Sequence, residues 1–380
     1  MNFLFQDIDL ITKFLLGIFT VSLLVQIVYY LFIFRRSTAG SPKLGRRNKK
    51  YPPVSIVICA RNEEQNLEKN LPQILEQDYP EYEVIVVNDR SDDNSDEVLE
   101  KLAEKYNHLN VSKLKNDAKF DHGKKLALTI GIKASKHDIL LLTDADCVPA
   151  SKKWIKYMVR NYRGKTSVVL GVGLYKKRKG LLNLIIRYET ASIAMRYISM
   201  ARIGKPYMGV GRNLSYNKEL FFKNRGFASH LGVKSGDDDL FINEVSNSEN
   251  TTIELHPDSY TYSESEKSFW DWTRQKKRHL TTAKFYQQSS KRILGAEYLS
   301  GMLLTLSFIL LIVRYEYYYY VLAVYIPGLI IKSIIYILAF RRFKENFIFL
   351  PALFLDAIMP FIYSYLHFVN YIERKRSRWQ

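Results

Sequence analysis

The sequence predicts an α/β fold set between hydrophobic chain ends, and three observations predict it. Between residues 51 and 175, short apolar runs alternate with stretches of helical spacing, as in a parallel sheet with crossover helices. Long uncharged segments stand near both ends of the chain. Polar, acid-rich turns follow three of the apolar runs, at Arg61–Glu64, Asn88–Ser95 and Asp144–Cys147. Ligands bind outside the carboxyl ends of strands in an open parallel sheet, so these turns are expected to line one crevice.

Composition narrows the field. The 380 residues carry 56 Lys and Arg against 38 Asp and Glu, a net charge of +18. Charged residues are 25%, but the apolar residues clump at the ends, which argues against a plain cytosolic globule and against a disordered chain. Two cysteines, Cys59 and Cys147, supply neither a disulfide framework nor a Cys-based zinc cluster. Excess positive charge and 14% aromatics also fit a nucleic-acid binder. Here, though, much of that charge lies beside the apolar segments and many of the aromatics lie within them, so no nucleic-acid partner is expected.

Element by element, residues 1–13 form a short N-terminus. Phe14–Phe34 is 21 residues without a charge, enough at about 1.5 Å per residue to cross a bilayer. Residues 35–50 are a basic linker with seven Lys or Arg and no acid. The positive-inside rule puts the N-terminus outside and everything from residue 35 in the cytoplasm. That implies a multi-pass protein of the cytoplasmic (inner) membrane, with membrane lipids as partners and its central domain, 51–290, inside. In that domain Val54–Cys59, Tyr82–Val87, Asn110–Leu114 and Asp138–Leu142 read as strands. Glu64–Gln77, with Pro72 inside it, a segment opening at Asn94 and Glu97, and Lys124–Ser135 read as helices. Leu181–Ser199 reads as an amphipathic helix behind Lys176, Lys177, Arg178 and Lys179. It suits an anionic membrane surface or, equally, a core helix with a solvated flank. Near the C-terminus, residues 298–313 and 317–340 read as a membrane hairpin. Residues 347–371 are long enough to span, but Asp356 within them favours an interfacial or re-entrant helix over a full crossing. A basic tail, 372–380, ends the chain.

Acidic clusters carry the chemistry. Asp144-Ala145-Asp146 follows a buried strand, and carboxylates so placed can hold a divalent Mg or Mn shared with substrate phosphates. Asp89 ends a neighbouring strand. Asp237-Asp238-Asp239 is a second cluster. Adjacent acids repel, so one of them has a raised pKa suited to general base work; the same acids also suit a helix N-terminus. Trp270–His279 is a third motif, whose cations could neutralise a diphosphate, with Arg best fitted to bidentate contact.

Together these motifs resemble membrane-anchored family 2 glycosyltransferases, the group of cellulose, hyaluronan and poly-N-acetylglucosamine synthases. The resemblance covers about Tyr51 to Gln288. It rests on ordered motifs: Ser55–Glu64, Asn88-Asp89 with Ser91, Asp144–Asp146, Ser235–Leu240 and Gln275–Arg278. It implies a GT-A-type, Rossmann-like nucleotide-diphospho-sugar transferase domain with flanking transmembrane helices. By residue, it implies that Ala60, Arg61 and Glu63 embrace the nucleotide and Asp89 recognises the base. Lys124 would lie near the diphosphate, Asp144 near the nucleotide sugar and Asp146 on the metal, with Asp144 its partner ligand. Arg212 and Asn213 resemble the Gly-x-Asn segment near donor or acceptor sugar. Ser235–Leu240 is similar to the TEDxDL pattern, making Asp237 the catalytic base with Asp238 its rival, since Gly236 replaces the Glu. Asp239, Gln275, Arg278 and His279 complete the substrate set, His279 standing where the QxxRW pattern has Trp. The implied partners are a nucleotide sugar, UDP-linked first, and a lipid-linked or glycan acceptor at the cytoplasmic face. The implied reaction is inverting. The rival readings are a processive polysaccharide synthase and a non-catalytic nucleotide-sugar-binding membrane protein.

Overall fold

The computed structural model describes residues 9–41, 51–114, 123–233, 235–314, 318–346 and 348–376. Most of the basic linker, residues 315–317, His122 and the end of the basic tail lie outside the described residues. The chain divides into two units, one of residues 1–38 with 287–380, the other of residues 39–286.

In chain order the elements are α1 Leu10–Val28, β1 Val54–Ala60, α2 Glu64–Leu75, β2 Tyr82–Asn88, α3 Ser95–Lys105, β3 Leu109–Lys113, α4 Lys124–Ala134, β4 Ile139–Asp144, β5 Val148–Pro149, α5 Trp154–Val159 and β6 Val168–Leu170. There follow β7 Gly173–Tyr175, α6 Leu181–Arg202, β8 Leu214–Asn217, α7 Lys218–Lys223, α8 Asp239–Val245, β9 Thr251–Ile253, β10 Thr261–Ser263, α9 Phe269–His279, α10 Gln288–Val313, α11 Tyr318–Arg342 and α12 Phe349–Arg376.

The middle unit is built on a seven-stranded sheet ordered β3-β2-β1-β4-β8-β6-β9. β3, β2, β1 and β4 run parallel. β8 lies antiparallel to β4 and β6. β1 and β2 are buried along nearly their whole length, which is why their sequences are continuous apolar runs. The chain leaves β1 toward β2 and later crosses back to β4, so strand order reverses between β1 and β4 and opens a crevice there. Register fixes its rim: Ala60 pairs with Asn88 and Cys59 with Asp144. A small sheet, β5-β10-β7, stands beside it. Gly131 of α4 lets that helix close on the sheet, since a Cβ there would fall 2.6 Å from Val57 Cγ1.

α3 begins next to Asn94 as expected, and there Asp93 Oδ1 accepts the Ser95 N–H at 3.1 Å. Of the two readings of α6, the core helix with a solvated flank is the one seen: Tyr188, Glu189, Thr190, Ala191 and Ser192 are buried in succession, while Leu181 is exposed and Leu182, Leu184, Ile185 and Arg187 are half-buried.

The other unit is a bundle of α1, α10, α11 and α12. Phe19, Leu23, Leu304, Leu311 and Val321 form its core. Gln26 donates to the Glu297 carbonyl (2.8 Å) and to Ser300 Oγ (2.9 Å), tying α1 to α10. Four of the described helices are long and apolar enough to cross a membrane, at 10–38, 288–313, 318–342 and 351–373. α12 runs unbroken through Pro360. Its Asp356 is paired with Lys332 of α11 and accepts from Tyr336. Lys332 also lies 5.2 Å above the Tyr30 ring.

Candidate active site

The turns after β1 and β2 are stitched to each other. Asn62 N–H donates to Ser91 Oγ (2.9 Å), Asp92 N–H to Asn62 Oδ1 (2.7 Å), Glu63 N–H to Ser95 Oγ (3.1 Å) and Glu64 N–H to Asp93 Oδ2 (3.0 Å). Asn62 and Arg90 hold positive φ, 55° and 54°, a sign of how tightly the paired turns are folded. The Ala60 carbonyl accepts the Asp89 N–H at 2.8 Å. Asp89 is buried and ion-paired with Arg90 at 2.9 Å. Arg61 is exposed beside them. The carboxyl pKa of Glu63 is raised, first by burial and then by Asp146 and Asp144, which brings the first turn within electrostatic reach of the acids after β4.

Lys124, at the start of α4, closes the site. Its Nζ lies 2.6 Å from Asp144 Oδ1 and 3.2 Å from Asp237 Oδ2. Two acids 93 residues apart in sequence thus share one ammonium group. They line a small pocket together with Thr143, Gly211 and Asp238. Burial disfavours the Lys124 charge, yet Asp144, Asp237 and Asp238 outweigh it and hold the lysine firmly protonated.

The three acids of the second cluster take three roles. Asp237 faces Lys124; burial opposes its charge, but Lys124 and the turn's own N–H prevail and its pKa is lowered. Asp238 has both oxygens engaged, Oδ2 with the Gly211 N–H and Oδ1 with the Asp239 N–H, each at 2.7 Å. Burial and its two acidic neighbours push its pKa up to about 7. Asp239 is buried and accepts from Thr282 (2.5 Å) and Tyr286 (2.8 Å), so it fastens α8 to the segment after α9. Gly236 makes the turn at φ +97°, and a Cβ there would fall 2.5 Å from Leu240 Cδ1.

Asp144, Asp146 and Cys147 place their ligand atoms within 4.8 Å of one another. The Asp146 pKa is raised by burial and by Asp144, the imbalance a cation between them would relieve. Two carboxylates suit Mg or Mn. The Cys147 thiol does not, because burial and these same acids keep it protonated, and it donates to Asp146 Oδ1 at 3.2 Å. Arg212 completes this side, stacked 4.3 Å over Tyr175 and bonded to Ser263 Oγ at 3.0 Å.

Other expected residues lie where they do different work. Asn213 is fully buried: its amide donates to the Val172 and Ser259 carbonyls, and its oxygen accepts from Trp154 Nε1. That leaves it holding backbone rather than sugar. Gln275 is bonded to Glu266 at 3.1 Å. Arg278 is exposed at the end of α9. His279 ends α9 within electrostatic reach of Lys276, Arg278, Arg212 and Lys124, and desolvation followed by these cations drives its pKa well below the ordinary value. Sequence reading missed what anchors α9: buried Glu189 of α6 takes Lys276 at 2.7 Å and Trp272 Nε1 at 3.2 Å. The regular spacing of Glu189 within an apolar helix carried no signal for this.

A mixed sheet with a strand-end acid pair, a facing carboxylate and a lysine between them is the arrangement of a glycosyltransferase-type site. Residues 139–371, over half the chain, match Glycosyl transferase family group 2, and residues 55–222 match Glycosyl transferase family 2. The chain belongs to this family. It is 27% identical over 172 residues to the poly-beta-1,6-N-acetyl-D-glucosamine synthase of Staphylococcus epidermidis, covering 45% of this chain and 40% of that one. It is 31% identical over 180 residues to "Probable glycosyltransferase YdaM" of Bacillus subtilis, covering 44% and 42%. The chain thus matches about two-fifths of the length of these curated relatives. Its fold is that of the mannosyltransferase PcManGT from Pyrobaculum calidifontis, solved with GDP-Man and Mn2+, at TM-score 0.59 and 17% identity over 91% of this chain and 99% of that one.

Proposed function

We propose that the protein is an inverting transferase moving one sugar from a nucleoside-diphosphate sugar to a lipid-linked or glycan acceptor at the cytoplasmic membrane face. The observation that carries this reading is the Lys124 bridge between Asp144 and Asp237, which puts the donor-side acid and the Asp237 carboxylate in one pocket. Asp237 takes the proton of the acceptor hydroxyl as that oxygen bonds to the anomeric carbon. The bond from that carbon to the diphosphate oxygen breaks, and the leaving group keeps the electron pair. Asp237 is the ionised member of the cluster and meets Lys124, whereas Asp238, raised to about 7 and so by its pKa the better match to general base work, spends both oxygens on backbone N–H groups; the position of Asp237 rather than its pKa selects it. Lys124, Arg212 and Arg278 are the cations for the diphosphate. A Mg or Mn ion held by Asp144 and Asp146 would add charge neutralisation there.

The relatives' names and the GDP-Man complex guide the donor panel. Detergent-purified protein is incubated with UDP-GlcNAc, other UDP-sugars and GDP-mannose plus Mn2+, and nucleoside diphosphate release is followed. Release with a sugar-extended lipid supports the reading. Binding without release supports a non-catalytic binder, and a long product supports a processive synthase.

The same reading lets α12 cross the membrane in full, a departure from the interfacial helix first expected. Pairing of Asp356 with Lys332 and Tyr336 removes the lone acid that weighed against a span. A cysteine at Ser377 is then labelled from outside; labelling only after permeabilisation returns α12 to the interface.

A further inference from the structure

Lys125 follows Lys124 on the first turn of α4 but points elsewhere. It is 7% exposed, and its Nζ donates to the carbonyls of His230 (2.6 Å) and Val233 (2.8 Å). His230 ends a short 3₁₀ turn, Ala228–His230, whose last carbonyls need donors. The chain from there to Asp237 begins with exposed Leu231 and Gly232 and closes on Gly236 at positive φ. Its flanks are fixed: Ser229 Oγ donates to Glu244 at 2.6 Å, and Asp238 accepts from Gly211. Lys125 bonds the backbone of the stretch between them. A buried ammonium is an expensive way to fill space, and a Met of similar length would fill it without that cost.

We propose that Lys125 is a positioning residue for the transfer reaction, fixing the backbone at His230 and Val233 so that the Asp237 carboxylate stands where the acceptor hydroxyl arrives. Adjacent lysines on one helical turn then divide the work: Lys124 touches the acids, and Lys125 holds the loop that delivers one of them. This rests on the reading of Asp237 as the base. Misplacing such a group by about 1 Å costs on the order of a hundredfold in rate.

The test uses the full-length protein in detergent with UDP-GlcNAc or GDP-mannose and Mn2+. Lys125→Met is expected to lower kcat roughly 10- to 100-fold with donor KM held within about twofold. Lys125→Arg, which keeps the charge and the donors, is expected to recover most of the rate. In an Asp237→Asn background, Lys125→Met is expected to add no further loss. Amide exchange of residues 228–240 is expected to quicken in Lys125→Met while the rest of the sheet stays protected. An unchanged kcat overturns the proposal. So does an equal, additive loss in the Asp237→Asn background, or faster exchange across the whole unit without rescue by Arg. A wild-type protein inert with every donor defeats the transferase reading instead, and amide exchange still reads the anchor.

Discussion

Lys124 in the catalytic unit and Lys332 in the helix bundle both sit against aspartate, and the surroundings separate them. Lys124 has 41% of its side chain exposed and meets Asp144 and Asp237, with Asp238 and Asp146 close by. Lys332 has 18% exposed and meets Asp356, itself capped by Tyr336. The first group carries more acid than the one lysine balances and opens onto a pocket. The second is matched one to one and closed by tyrosines. Excess charge at an open edge invites a ligand; balanced charge inside a bundle joins helices.

The sharpest test of that contrast is Asp237→Asn. It is expected to cut transfer by about 10²–10⁴-fold while donor binding, read by thermal shift, persists. Full turnover in Asp237→Asn, with loss in Asp238→Asn, would move the base by one residue. Chelation comes next. Stripping divalent ions is expected to lower turnover roughly a hundredfold, with recovery on adding Mn or Mg. Indifference to chelator would leave Lys124 and Arg212 to carry the diphosphate alone.

The bundle pair behaves differently under substitution. Lys332→Met or Asp356→Asn alone is expected to destabilise the bundle by about 3 kcal/mol, because the remaining charge is stranded. Pairing both changes restores most of it, as thermal unfolding in detergent would show. At Lys124 and Asp144 the double change should restore no activity at all, and recovery there would erase the distinction.

The smallest effect is a pH dependence. The Asp238 pKa of about 7 in the fold lies above that of a free carboxyl, so the folded state favours its protonated form. Stability from this group is complete below about pH 4 and drains away as pH climbs to about 7. Asp238→Asn removes that decline, so the gap between variant and wild type should shift in the variant's favour by a few degrees in Tm, roughly, from pH 5 to pH 8.

Much of this was readable beforehand. The β-branched runs located β1, β2 and β4, because strands buried on both faces have no polar alternation to obscure them. The acids at their ends were legible for the same reason: a carboxylate after such a run has nowhere to go but the rim. The division of labour among Asp237, Asp238 and Asp239 was not, since it depends on partners 27 and 43 residues away. Nor was the duty of Asn213, whose three bonds all run to distant segments. The extent of α6 burial was hidden because a helix enclosed along most of its length loses the periodicity that marks a surface helix. Lys332 was passed over inside an apolar run, and Asp356 without it looked like an obstacle to crossing rather than half of a pair.

Gly236 constrains the order in which this site could change over generations. Restoring the glutamate of the related pattern would meet two separate obstacles, a left-handed backbone and the Leu240 side chain. A lineage would have to shrink residue 240 and rebuild the turn before the acid could arrive, with α8 weakened in the interval. Glycine at 236 is thus held in place by its neighbours, and a variant with any side chain there should unfold earlier, less so if residue 240 is made smaller.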